Sequence, residues 1–161
     1  MAFLRACPGA EATLFDLPEV IPLAERRLAA EGLRGRVRLV AGDYMADPLP
    51  AGADLAWVSA IIHSLPREEN RRLFASIHRA LVPGGTIAVR DVVMEPDRTR
   101  PPMGALFAVN MLVGTEAGGT FTFEEIREDL ESAGFTGAAI LRRDEGMHSI
   151  VIARKAAGSR S

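Results

Sequence analysis

The chain has a single cysteine, Cys7, so it can form neither an internal disulfide nor a cysteine-rich metal centre, and that scarcity suits a reducing compartment. It has no HExxH, no paired CxxC and no tight histidine–acid cluster, so no metal site is expected. No apolar run nears the length that spans a bilayer, and the opening MAFLRACPG lacks a long apolar core and a signal cleavage pattern. Neither sign of charge is in excess: 19 basic residues against 21 acidic leave a net charge of −2, without the basic surplus of a nucleic-acid binder. These absences lead to the expectation of a cytoplasmic protein that binds neither membrane nor nucleic acid. Gly-x-Ser-x-Gly and a Walker lysine are also missing, which removes the usual supports of acyl hydrolysis and phosphoryl transfer. Lysine is reduced to Lys155, a compositional bias without functional content.

What is present is a chain of 161 residues, 48% apolar, enough for one domain; folding at this size hides roughly 70% of the unfolded surface. Residues 1–155 are expected to form that domain and 156–161 a frayed tail. The organising stretch runs from Asp54 to Glu95. Leu55 to Ser59 and Ile87 to Val93 are nearly continuous apolar runs, as in parallel strands covered on both faces. Between them Leu73, Phe74, Ile77, Ala80 and Leu81 recur at helical spacing, while Glu68, Glu69, Arg71, Arg72 and Arg79 take the other face. Pro83-Gly84-Gly85 reads as the turn into the second strand. The result is a βαβ unit, and open α/β sheets bind ligands outside the carboxyl ends of such strands. His63 and Asp91 fall there.

Ahead of this unit, Met1 to Ala6 reads as helical turns ended by Pro8-Gly9, Ala12 to Phe15 as a strand, Glu19 to Glu31 as a helix and Val37 to Ala41 as a second strand. After it, Gly104 to Gly114 is an apolar helix, either core or the wall of an apolar pocket. Thr115 to Thr122, with Gly118-Gly119, reads as a mobile loop. Thr122 and Glu125 have the spacing of a capping box for a helix over Phe123 to Ser132. Ala138 to Leu141 and Ser149 to Ala153 close the chain as an antiparallel hairpin.

Asp16 and Asp43 each follow a strand at the edge where the sheet opens. Such acids can accept hydrogen bonds from a ribose diol or an exocyclic amine, each worth about 1.5–3 kcal/mol when dry. Singly they read equally well as a helix cap and a turn residue; as a pair they favour a nucleoside, with Tyr44 or Met45 as a face for the base. His63 at a strand end can take a proton near neutral pH, or can simply hydrogen-bond neighbouring backbone. Asp91 is its natural orienting partner, the alternative being an ion pair with Arg90 or another arginine. His78 and His148 read as solvated or boundary residues.

Taken together, FDLPEVI, AGDYM, VSAIIHSLPREENRRLF, LVPGGTIAVRD, the apolar helix and GGTFTFEEIREDLESAGF, each in its place along the chain, resemble the catalytic domain of S-adenosylmethionine-dependent O-methyltransferases. The likeness is to plant-type enzymes and their bacterial relatives that methylate phenolic or polyketide hydroxyls. It implies a Rossmann-like α/β fold, a mostly parallel sheet with a C-terminal antiparallel hairpin, here lacking the first strand and the glycine-rich loop. It implies S-adenosylmethionine as cofactor, held by Asp16 with Leu17 at the ribose, Asp43 with Tyr44 at the adenine, and Ser59 in the cleft. It implies His63 as general base flanked by Asp91, and Phe107, Asn110 and Met111 as the wall for a small-molecule acceptor. A homodimer is implied for a full-length parent, of which this chain is expected to be a fragment or late-start reading that binds cofactor weakly or not at all. Thr120 stands where the family has a second acid beside the base. The competing reading is a non-catalytic remnant that serves as a partner-binding domain.

Overall fold

A computed structural model describes residues 1–158, so the end of the expected tail, residues 159–161, lies outside the described residues. The chain forms two compact units, Met1–Pro50 and the remainder from Ala51 onward. The first holds α1 (Ala2–Ala6), β1 (Ala12–Asp16), α2 (Ile21–Ala30) and β2 (Val37–Ala41), with a short helical turn at Arg34–Arg36 before β2. Strands β1 and β2 pair in parallel from Ala12↔Val37 to Asp16↔Ala41. Leu4, Leu28, Leu33 and Val37 are buried together, with Ala12, Leu14 and Leu39 packed against them. The Arg36 guanidinium donates to the carbonyls of Leu4 and Cys7, filling acceptors that the end of α1 leaves open. Helix α2 begins at Ile21 and not near Glu19, because Val20 N first closes a turn onto Leu17 O at 2.9 Å.

The second unit contains β3 (Ala53–Ser59), α3 (Arg67–Ala80), β4 (Leu81–Asp91), β5 (Val93–Met94), α4 (Pro102–Gly114), β6 (Phe121–Thr122), α5 (Phe123–Ser132), β7 (Phe135–Arg142) and β8 (Ser149–Lys155). Its main sheet has the order β3-β4-β8-β7, parallel between β3 and β4 and antiparallel thereafter, and β5 pairs β6 in parallel. This is the expected α/β architecture with its terminal hairpin. Among the described residues β1 and β3 are each paired along one edge only. Phe74, Ile87, Val89, Leu130, Phe135 and Val151 are fully buried between helices and sheet, each worth about 1.5–3 kcal/mol in water-excluded area.

One expectation changes and two readings become sharper. Pro83-Gly84-Gly85 is not a turn ahead of the strand but a bulge inside β4: the pairing steps from Ala53↔Leu81 to Leu55↔Thr86, so β4 advances five residues where β3 advances two. Gly84 adopts φ +79°, and a methyl on Gly85 would sit 2.9 Å from Val82 O, so side chains are excluded there. Arg71 does not simply face solvent. Its Nε donates to Asp129 at 2.7 Å, and Arg67 holds the same carboxylate through Nε and Nη2. Asp129 shares the buried stripe of α5 with Ile126 and Leu130, so two guanidiniums from α3 solvate it, and its hydrogen bond holds Arg67 above the ordinary arginine range. Of the two readings left open for α4, the exposure rules out core: Phe107 and Met111 are half-buried, but Leu112 and Val113 are 78% and 83% exposed.

Lys155 Nζ caps α3, donating to His78 O and Leu81 O, both at 2.7 Å. The His78 ring meets Phe135 edge-on, with centroids 4.9 Å apart. Burial, then the charge of Lys155, lowers its pKa from the ordinary value.

Asp129→Ala is expected to lower the unfolding free energy in urea by about 2 kcal/mol, since it strands two charge-assisted donors, whereas the exposed Glu128→Ala should change it by no more than about 0.5 kcal/mol. His78 is harder to charge folded than unfolded, so the stability it contributes is full above its ordinary pKa and lost as pH falls through it. His78→Gln should flatten the decline of the urea midpoint between about pH 7 and pH 5.

Candidate active site

In the first unit the parallel pairing of β1 and β2 brings two acids to one edge. Asp16 is the last residue of β1, opposite Ala41, and its carbonyl accepts Gly42 N at 2.9 Å, so Asp43 follows just beyond the same strand end. Gly42 is buried, and a methyl on it would lie 2.5 Å from the Phe15 ring, which keeps the two strand ends close. Asp16 Oδ1 accepts the Leu17 amide at 2.8 Å, leaving Oδ2 without a donor among the described residues. Asp43 Oδ1 accepts Met45 N at 2.8 Å, and Asp43 N donates to Asp47 Oδ2 at 2.9 Å, so the loop holds the carboxylate in place. Tyr44 is half-buried beside it and Leu17 is exposed. The donor set fits a nucleoside: carboxylate oxygens fixed by backbone amides, ready for hydroxyl or amine N–H donors. The glycine-rich turn expected for the rest of such a cofactor has no counterpart in residues 1–11, which carry α1 and the Pro8-Gly9 turn.

In the second unit the end of β4 and the turn after β3 build an imidazole–carboxylate pair. His63 Nδ1 lies 2.9 Å from Asp91 Oδ1 and 3.0 Å from Oδ2. Only 12% of the His63 side chain and 1% of the Asp91 side chain reach solvent. Oδ1 of Asp91 also accepts Val92 N at 2.8 Å, which fixes the carboxylate plane. A buried carboxylate against Nδ1 puts the imidazole proton there and leaves Nε2 with its lone pair. The Phe107 ring from α4 stands edge-on to the imidazole at 4.9 Å. Asn110 is on the exposed side of α4, and Met111 is half-buried.

The alternative partner for Asp91 is excluded: Arg90 turns the other way, donating through Nη1 to Ser59 Oγ at 2.9 Å and through Nε to His148 Nδ1 at 3.1 Å. Ser59 is thus hydrogen-bonded by an arginine across the parallel register Ser59↔Arg90. Thr120 is buried, its carbonyl taken by Arg98 Nη1 at 3.0 Å.

Sequence reasoning missed Asn70, 2% exposed on α3 between Leu73 and the turn that carries His63. Its Nδ2 donates to Ile62 O at 3.0 Å, while Oδ1 has no partner among the described residues. The signal was its place three residues ahead of Leu73 on the apolar stripe. It also missed that Gly118-Gly119 is not a loose loop: Gly119 N donates to His63 O at 2.9 Å, and Gly118 N to Thr115 Oγ1 at 2.8 Å. Among the described residues no group of acids, histidines and cysteines could hold a metal, and no helix is long and apolar enough to cross a membrane.

Comparison with known proteins bears on the family and the fold. Residues 1–136 match the family model of the O-methyltransferase domain. The chain is 37% identical over 153 residues to the 3-hydroxy-5-methyl-1-naphthoate 3-O-methyltransferase of Streptomyces sahachiroi, covering 94% of this chain and 44% of that protein. To the acetylserotonin O-methyltransferase of Gallus gallus it is 34% identical, covering 92% of this chain and 42% of the relative. Human N-acetylserotonin methyltransferase, crystallised in complex with SAM, superposes with a TM-score of 0.85 at 29% identity, over 95% of this chain and 43% of that one. The chain therefore spans less than half the length of these relatives. Strand order, paired strand-end acids, the imidazole–carboxylate pair and the match across residues 1–136 lead to one conclusion: this chain belongs to the O-methyltransferase family.

Proposed function

We propose that the chain is the cofactor-binding and base-bearing part of an enzyme that methylates a hydroxyl of a small aromatic or polyketide-like molecule from S-adenosylmethionine. The observation that carries this reading is the buried pairing of His63 Nδ1 with both oxygens of Asp91. A histidine so held is a base with one free nitrogen and a fixed counter-charge for the imidazolium it becomes. In the mechanism, His63 Nε2 takes the proton from the acceptor hydroxyl, which would be the oxygen methylated, and Asp91 stabilises the protonated ring without itself taking the proton. The cofactor's sulfonium would supply the methyl and keep the electron pair of the broken carbon–sulfur bond. Asp16 with Leu17 would hold the ribose, Asp43 with Tyr44 the adenine, and Ser59 would line the cleft. Phe107, Asn110 and Met111 would face the acceptor, the Phe107 ring offering an apolar edge to a planar molecule. The relatives' names, which include a naphthoate and acetylserotonin, support a small aromatic acceptor. A homodimer is part of the same reading for a longer parent.

A second reading, a methyltransferase-like domain that binds a partner and catalyses nothing, has one observation in its favour: Thr120 replaces the second acid, so Asp91 is the one carboxylate on His63 among the described residues.

Two measurements separate the readings. With radiolabelled S-adenosylmethionine and a hydroxynaphthoate acceptor, His63→Ala is expected to cut turnover by about 10²–10⁴-fold with cofactor affinity unchanged; unaltered turnover would leave a proximity-only enzyme, and no turnover by the parent would favour the partner-binding domain. In calorimetric titration with S-adenosylhomocysteine, Asp16→Asn and Asp43→Asn should each weaken binding by about tenfold or more, and equal affinity in all three proteins would remove the nucleoside assignment.

A further inference from the structure

The turn that carries His63 is gripped at two consecutive carbonyls, Ile62 O by Asn70 Nδ2 and His63 O by Gly119 N. The second grip depends on the residue before it. A methyl on Gly118 would stand 2.5 Å from His63 O and would also collide with Thr115 Oγ1, whereas a methyl on Gly119 would meet nothing within 4 Å. Thr115 sets the approach, its Oγ1 donating to Met111 O at 2.7 Å and accepting from Gly118 N at 2.8 Å. The other end of α4 is seated in the same manner. A methyl on Gly104 would lie 2.5 Å from Met94 Sδ and 2.8 Å from Val92 Cγ1, and Val92 directly follows Asp91. One end of α4 thus packs on the side chains of Val92 and Met94 next to Asp91, the loop leaving its other end bonds the His63 carbonyl, and midway along it Phe107 meets the imidazole.

We infer that Gly118 is a positioning residue: by letting residues 115–119 close onto the His63 carbonyl, it ties helix α4 to the imidazole, so that the acceptor wall and the base are held as one body. A carbonyl held from outside fixes the peptide plane on one side of His63 and hence the direction in which its Cα–Cβ bond points. Any side chain at 118 would push the loop away, release the Gly119 amide and let the imidazole swing from Asp91. The geometry stands apart from the functional reading; the effect on turnover rests on His63 being the base.

The adjacent glycines supply a matched pair of variants. In the full chain, Gly118→Ala should speed hydrogen exchange of the residue 119 amide by about tenfold or more, the factor that one hydrogen bond of ordinary net strength represents. It should also broaden or shift the low-field proton resonance of His63 Nδ1, assigned by its loss in His63→Gln. Gly119→Ala should leave both signals as in the parent. Thr115→Val, which keeps both glycines but removes the hydroxyl that orders them, should follow Gly118→Ala in weaker form and serves as the test if Gly118→Ala does not fold. In methyl-transfer assays Gly118→Ala should raise the acceptor KM and lower kcat together without changing cofactor affinity. Identical amide exchange and Nδ1 resonance in the Gly118→Ala and Gly119→Ala proteins, or a Thr115→Val protein indistinguishable from the parent, would overturn the inference. If His63→Ala retains turnover, the base assignment fails while the exchange and resonance measurements still decide whether Gly118 ties α4 to the imidazole.

Discussion

A carboxylate buried at the end of a β-strand sets the terms for the second unit. Asp91 closes β4 with 1% of its side chain exposed, and a charge taken out of water costs several kcal/mol unless its oxygens are met. Val92 N meets one oxygen, and His63 Nδ1 approaches both. The imidazole is therefore the acid's substitute for water. The turn after β3 cannot relax away from β4 without stranding a charge. This pairing is one of three holds on the short helical turn Ile62–Ser64, beside Asn70 on the Ile62 carbonyl and Gly119 on that of His63.

Asp129 makes an instructive contrast. It is as buried as Asp91, but two guanidiniums saturate it, and its office is to fasten α3 to α5. Asp91 meets one imidazole, and the second nitrogen of that ring has no hydrogen-bond partner among the described residues. Both acids are met: guanidiniums on Asp129 make a clamp, whereas the imidazole on Asp91 carries a further ring nitrogen beyond the pair. The same economy shows in the first unit, where Asp16 gives one oxygen to its own backbone and keeps the other. Helix α4 adds shape to this chemistry. It carries no charged residue, and its inner side offers Phe107 to the imidazole while its outer side stays exposed.

Much of this was legible in the chain itself, for local reasons. Strand β2 and helix α5 have the boundaries their patterns predict, since a run of apolar residues and a Thr122–Glu125 capping box act within a few residues. The pair Asp16 and Asp43 was readable because each acid follows directly on an apolar strand, and parallel pairing brings such ends to one edge. His63 and Asp91 were readable for the same reason on β3 and β4. Less was legible where distant elements meet. Periodicity placed Arg71 on the polar face of α3 but cannot show that α5 presents an acid to that face, and Pro83-Gly84-Gly85 read as a turn because a bulge and a turn call for the same residues.

The sequence by itself determined the order of elements, the family, and which acids and which histidine stand at strand ends, because those properties depend on spacing along the chain. Only the tertiary structure decided that Asp91 pairs with His63 and not with Arg90, that Arg90 goes to Ser59 and His148, and that Gly118 rather than Gly119 has no room for a side chain. Each of these is a choice among chemically equivalent partners. Distance makes the choice, and distance is set by how separate elements pack, which no local pattern contains.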